Sequence, residues 1–482
     1  MFKKKFYITT PVYYVNARPH LGHAYTTVFA DILARYHRLN GKRVFFLTGI
    51  DEHGAKIEEA AKRAGKEPKK FCDEQNAVFK KIWKLFNISN DGFIRTSSDS
   101  HKKAVSRVLK TLFNNGFIYK GVYEGLYCEG CEQYKSERDL VDGKCPDHQK
   151  EPVLMKEESY MFKLSAFGEK LKKIINNDKL KIRPLGKKKE ILSFLSGGLN
   201  DISISRKNVK WGVSLPFDKS STAYVWLDAF LNYLTGIGWN GDLKNLPNFW
   251  PPDVQLMAKD ILRVHLSIWP ALLLALKISL PKMIFSHGFF TLNGWKMSKS
   301  LGNVIWPEKL AEKFGVDGAR YLLISSLAYG ADGDLSLEKL AEKYNADLAN
   351  GLGNFTARVL TLGSQIGKIK ISGLNKNIGK KIKEIQKNTD KNIKELKIQE
   401  ALAEVWRLIS FGDGELNKTE PWKIEDTERK VRVLFNLIIL LRSVAELLKP
   451  FIPQTAEKIF RSVKISGKTI NIKKGGILFP RI

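Results

Sequence analysis

The chain has 482 residues, 43% of them apolar and 27% charged, which suits about three cored domains and excludes a disordered chain. Lysine and arginine number 80 against 50 aspartates and glutamates, a formal charge of +30 that suits a polyanion such as nucleic acid; a Lys/Asn/Ile-rich compositional bias accounts for part of it. No apolar run reaches about 18 residues, since 266–276 stops at Lys277 and 433–441 is broken by Asn436, and no apolar signal core precedes the first strand, so a soluble, cytoplasmic protein without a membrane segment is expected.

Residues 6–10 are a β-rich run that Pro11 is expected to end, and 24–39 carry Val28, Ile32, Leu33 and Tyr36 at helical spacing. Between them stands Pro19-His20-Leu21-Gly22-His23, at a strand-to-helix turn. A helix start presents unpaired N–H groups that suit a phosphate, Gly22 lets a ligand approach the backbone, and His20 and His23 can each donate a ring N–H. Read alone, the four residues fit a plain helix start with two incidental histidines equally well. A second strand at 44–47 runs into Thr48-Gly49-Ile50-Asp51-Glu52-His53-Gly54 and a Lys/Glu/Ala helix, with a third strand at 94–96. This is the grammar of a parallel sheet, whose sites lie at the carboxyl ends of strands. Asp51 could hold a substrate ammonium there.

Cys128-Glu129-Gly130-Cys131 is followed by Cys145-Pro146-Asp147-His148, and only Cys72 among the cysteines lies elsewhere. Two ligand pairs at two-residue spacing suit a tetrahedral, structural zinc; disulfides or idle thiols are the alternative, which a cysteine-poor intracellular chain disfavours. Strands are expected at 203–206 and 211–213, then a helix opening with Tyr224-Val225-Trp226-Leu227-Asp228-Ala229-Phe230. Trp226, Phe230 and Tyr233 form an aromatic stripe that fits either core or the wall of an apolar pocket. Ala258-Lys259-Asp260-Ile261 ends another strand, with His265 one helical turn beyond Ile261. After Ile284-Phe285-Ser286-His287-Gly288 comes Gly294-Trp295-Lys296-Met297-Ser298-Lys299-Ser300, a cationic loop suited to following phosphate charge as it develops.

The His-Leu-Gly-His and Lys-Met-Ser-Lys-Ser pair resembles the two signatures of class I aminoacyl-tRNA synthetases. Tyr13-Tyr14, the 48–54 segment, the zinc knuckle and the 224–229 segment resemble methionyl-tRNA synthetases in particular, over nearly the whole chain. The resemblance implies an α/β fold: a Rossmann-type parallel-sheet catalytic domain (1–117 and 216–315) split by a connective insertion with a zinc knuckle (118–215). A stem-contact segment (316–345) and an all-α anticodon-binding bundle (346–482) would follow. It implies ATP-dependent attachment of L-methionine to tRNA(Met) through a methionyl-adenylate, with Mg²⁺ accompanying ATP and Zn²⁺ held by Cys128, Cys131, Cys145 and His148. Val12, Tyr14, Asp51, Trp226, Ala229, Tyr233, Ile261 and His265 would form the methionine pocket. His20, Gly22, His23, Lys296 and Lys299 would contact the phosphates, and Asp260 the ribose. The chain departs from the usual Gly-Lys-Asp at Ala258, whose methyl bears on how closely the ribose approaches.

Beyond Ala319 the sequence reads as helical, over 335–362, 378–396, 400–411, 428–448 and 453–460, with 332–335 as the stem-contact region. Asn350, Asn354 and Arg358 recur every four residues and are expected on one helix face. Such a polar stripe also fits a solvated surface. Asn354, Arg358, Pro421 and Trp422 match the family's anticodon-reading residues. Without a further C-terminal tRNA-binding domain of the kind some relatives use to dimerise, a monomer is expected. An idle tRNA-binding paralogue and a class I synthetase for another apolar amino acid are the alternatives; the intact histidine and lysine sets argue against the first, the pocket and anticodon matches against the second.

Overall fold

The computed structural model describes every residue except 1–3, 131–132, 136, 138–139, 147–148, 293 and 297–304. Six parallel strands form the central sheet: β1 (Lys5–Tyr14), β2 (Arg43–Asp51), β3 (Gly92–Arg95), β4 (Lys181–Arg183), β5 (Val254–Ala258) and β6 (Met283–His287). Their order is β3-β2-β1-β5-β6-β4. The chain runs outward from β1 to β3 on one side and returns on the other, so the switch point lies between β1 and β5, where open α/β sheets bind ligands.

Side chains alternate across this sheet, as a strand period of two requires. Phe6, Ile8, Phe46, Leu256 and Phe285 face one core; Tyr7, Leu47, Met257 and Ile284 face the other. The first core is continuous with the helix Leu21–Leu39, the helix Pro307–Ser325 and the C-terminal bundle. The second is closed by the helices Asp99–Asn114 and Ile268–Ala275.

Several elements differ from expectation. Pro11 does not end β1: the register with β2 shifts between Thr9 and Val12, and an irregularity tolerates a residue that cannot donate to the ladder. The first helix begins at Leu21, three residues early, because His20 caps it. Trp211-Gly212-Val213 is not a strand; pairing begins at Ser214–Leu215, opposite Asp218–Ala223. The insertion is built on the long antiparallel pair Ile118–Cys128 and Val153–Phe162.

The bundle contains helices Asn354–Ile366, Lys376–Lys394, Ile398–Thr419, Thr427–Leu448 and Pro453–Ser462. The 335–362 stretch is three pieces: helix Leu337–Lys343, a π-helical segment Tyr344–Gly353, and the helix from Asn354. A small sheet of Lys368–Lys370, Thr469–Ile472 and Val463–Ser466 closes the end of the bundle.

Candidate active site

His20 and His23 form a reciprocal cap. His20 Nδ1 accepts the Gly22 N–H at 3.1 Å, and His23 Nδ1 accepts the His20 N–H at 3.4 Å. A neutral imidazole accepting at Nδ1 carries its proton on Nε2, so this arrangement leaves both rings as Nε2–H donors. The rings stack with centroids 3.8 Å apart. A Cβ on Gly22 would lie 2.9 Å from the His20 ring. The missing side chain at Gly22 thus leaves room for the capping imidazole.

Two groups of residues expected in the amino-acid pocket are found at the switch point. Val12 lies opposite Gly49 and Tyr14 opposite Asp51 in the β1–β2 pairing, and the buried Asp51 carboxylate accepts a hydrogen bond from the Thr96 hydroxyl at 3.3 Å. In the second group, His265 Nδ1 donates to the Ile261 carbonyl at 2.8 Å, so its Nε2 must accept, and the Tyr233 hydroxyl is 2.8 Å away. Burial holds His265 down at about 4 despite that backbone bond, and it raises the Tyr233 hydroxyl. Both groups therefore stay neutral and keep their roles as acceptor and donor near pH 7. Trp226 and Phe230 pack edge-on against His265, at 6.1 and 4.9 Å, and Ala229 is buried beside them. The Tyr7 hydroxyl, donating to the Tyr233 carbonyl at 2.6 Å, ties this group to β1.

Asp260 is exposed just past β5, in a short 3-10 turn. Ala258 has φ −80° and ψ 163°, an extended conformation that needs no glycine. Its extra methyl is tolerated by the backbone. Lys296 lies in the short strand Trp295–Lys296, antiparallel to Phe290–Leu292. Lys299 lies outside the described residues. The base of this hairpin is held by the segment expected to contact the tRNA stem: Asp334 accepts from the Gly294 N–H at 2.7 Å, and Asp332 accepts from Phe289 N–H and from Lys259.

Of the four candidate metal ligands, Cys128 and Cys145 are buried within the small insertion, and Cys131 and His148 lie outside the described residues. Cys145 starts a tight turn, accepting from Gln149 N–H and donating its own N–H to the Lys150 carbonyl. Two buried thiols, one ending a strand and one opening a turn, fit thiolate ligation of zinc.

In the bundle, the Arg358 guanidinium lies over the Trp422 ring at 5.4 Å and donates to Asp413 and Asn417, at 3.0 and 2.8 Å. Glu420, at φ 39°, turns the chain sharply, so that Pro421 is buried and Trp422 is 44% exposed. Asn354 is exposed on the same helix as Arg358. Asn350 belongs to the π-helical segment that precedes this helix, is exposed, and accepts from Arg481.

Sequence reasoning missed a buried triad. Asp228 accepts from His53 Nδ1 at 2.5 Å and His101 Nε2 at 2.8 Å. It also missed Asp413 and Asn417, whose one signal is their spacing of four on a helix.

A parallel sheet with a histidine-capped helix start after its first strand, joined to a helical domain with an exposed aromatic, is the organisation of a class I tRNA synthetase. The family tRNA synthetases class I (M) matches residues 6–153 and 147–360, and the anticodon binding domain of methionyl tRNA ligase matches 364–474. The chain is 42% identical to the methionine–tRNA ligase of Clostridium acetobutylicum, over all of this chain and 78% of that protein, and 40% identical to that of Thermotoga maritima, over 99% and 78%. It superposes on the Mycobacterium tuberculosis methionyl-tRNA synthetase in complex with methionyl-adenylate with a TM-score of 0.93 at 33% identity, covering 99% of this chain and all of that one. This chain belongs to the methionyl-tRNA synthetase family.

Proposed function

We propose that this chain attaches L-methionine to tRNA(Met) in two transfers. The methionine carboxylate attacks the α-phosphorus of ATP and displaces pyrophosphate; a 3′-terminal ribose hydroxyl of the tRNA then takes the methionyl group and AMP leaves. The observation that carries this reading is the Trp226/Tyr233/His265 group, anchored just past β5 by His265 and tied to β1 through Tyr7, with Tyr14 and Asp51 at the ends of the neighbouring strands β1 and β2. Asp51 holds the amino group, and Val12, Tyr14, Ala229 and Ile261 complete the walls. A polarizable thioether suits the aromatic faces. Neutral His265 and Tyr233 satisfy each other and present no charge to an apolar side chain.

His20 and His23 offer Nε2–H donors to the phosphates beside the Gly22 backbone, Lys296 and Lys299 supply positive charge, and Asp260 binds the ribose. Catalysis is positioning and charge stabilisation, with no side-chain nucleophile. Mg²⁺ enters with ATP. Cys128, Cys131, Cys145 and His148 would hold a structural zinc that braces the insertion. Asn354, Arg358, Pro421 and Trp422 read the anticodon from the bundle. Among the described residues no helix is long and apolar enough to cross a membrane. A monomer acting in the cytoplasm, where tRNA is charged for translation, fits this work.

Amino-acid-dependent ATP–pyrophosphate exchange tests the reading. Methionine alone should support exchange; equal exchange with leucine, isoleucine or valine would refute it. Metal analysis of chelator-free protein should find about one zinc per chain, because four ligands close one site.

A further inference from the structure

Asp228 is 1% exposed, and its partners His53 and His101 are 3% and 0% exposed. Each carboxylate oxygen faces one imidazole, and His101 Nδ1 meets the Thr235 hydroxyl at 2.7 Å. Burial works against the charge on Asp228, but the two histidines outweigh it and hold the carboxyl well below the usual range. The three side chains come from three places. His53 lies two residues past Asp51. His101 is on the helix Asp99–Asn114. Asp228 sits between Trp226 and Ala229, on the five-residue helix Val225–Ala229. So short a helix cannot hold its own orientation. Packing alone gives no reason for a carboxylate here, since an apolar group of similar volume avoids the desolvation. What a buried carboxylate adds is two short, directional bonds.

We infer that Asp228 is a positioning residue for the amino-acid pocket: through His53 and His101 it fixes the end of β2, which carries Asp51, relative to the helix carrying Trp226 and Ala229. This rests on the pocket reading above. Neighbouring contacts extend outward from the same strand end, since the Trp211 indole donates to the Glu52 carbonyl and Trp211 O accepts from Gly54 N–H. The nucleotide side hangs on other elements, the capped helix start and the end of β5. Disturbing Asp228 should therefore act on methionine and spare ATP.

The test is steady-state exchange kinetics with thermal unfolding measured in parallel. In Asp228→Asn an amide N–H₂ faces an imidazole donor, so one bond is lost. The KM for methionine should rise about tenfold or more, with kcat and the KM for ATP within about twofold of wild type. His53→Leu should behave alike, whereas His53→Asn, which can place an amide donor near the Nδ1 position, should restore most of the methionine affinity. Intrinsic tryptophan fluorescence should respond to methionine only at correspondingly higher concentrations in the weakened variants. A lowered unfolding midpoint with wild-type KM for methionine would reduce the triad to scaffolding, and an equal rise in both KM values would also overturn the proposal. If Asp228→Asn does not fold, the His53 pair decides. A wild-type protein without methionine-dependent exchange would refute the proposed function instead.

Discussion

Asp31 and Arg320 meet at 2.7 Å with neither side chain exposed at all. Arg320 comes from the helix Pro307–Ser325 and Asp31 from the first helix of the sheet. The same guanidinium donates to the carbonyls of Phe86, Pro450 and Phe451. Arg35 and Ser89 complete the shell around Asp31. Burial disfavours the Asp31 carboxylate, but Arg320 and Arg35 more than compensate and keep its pKa below the ordinary value. One arginine thus joins the catalytic sheet to the turn before the last bundle helix.

Arg320→Met removes that link and leaves Asp31 buried with only Arg35 and Ser89 to compensate its charge. Breaking one partner of a buried pair costs about 3–5 kcal/mol. Denaturant unfolding should show a loss of that size, and an unchanged midpoint would deny the pair its role.

Lys299→Ala should slow methionyl-adenylate formation by about two orders of magnitude or more, as expected when a contact to developing charge is lost. Methionine affinity should stay near wild type, because the lysine loop is no part of the amino-acid pocket. Pre-steady-state exchange at the wild-type rate would contradict the loop's assignment.

Trp422→Ala should remove a base-stacking contact worth ~1–3 kcal/mol, raising the KM for tRNA while adenylate formation continues. Arg358 lies over the same ring, so Arg358→Ala should free the indole and weaken discrimination further. Binding driven by the basic surface should fall with salt for cognate and non-cognate tRNA alike. If Trp422→Ala still distinguished a methionine anticodon from a single-base variant as wild type does, the bundle would be a scaffold only.

Acid should destabilise the fold before its carboxylates titrate. His265 and His287 are both held at about 4 by burial, against an ordinary 6.5. Folding keeps them neutral, so above pH 6.5 they contribute no pH dependence, and as pH falls from 6.5 to 4 the unfolded chain gains protons that the folded one refuses. Stability should fall by about 1.4 kcal/mol per pH unit for each histidine in that window. His287→Gln should flatten the slope by one proton; an identical slope would show that His287 titrates normally.

The parts of the site that lie close together in sequence were legible. The motifs at 20–23, 48–54 and 224–229 each announce themselves within a few residues, although the reciprocal histidine cap at 20–23 and the helix start at Leu21 were not foreseen. What could not be read joins distant positions. His53 and Asp228 are 175 residues apart, and Asp31 and Arg320 are 289 apart. A lone buried histidine or arginine carries no local pattern that names its partner. The π-helical segment was invisible because its residues satisfy an ordinary helical reading. The small closing sheet was missed because its strands are three or four residues long.

The strand order also sets a schedule for synthesis. Ile8 in β1 pairs with Val254 in β5, whereas its other neighbour, Phe46, follows closely in the chain. As the nascent chain leaves the ribosome, β1, β2 and β3 can assemble early, but β1 keeps one edge open until residues 254–258 emerge. At about 5–20 residues per second, that interval lasts on the order of ten seconds or more. During it, an apolar strand edge is offered to any other chain within reach. The insertion's long antiparallel pair is made of neighbouring sequence and can fold within this interval. Its arrival thus falls between the two halves of the sheet in time as well as in sequence.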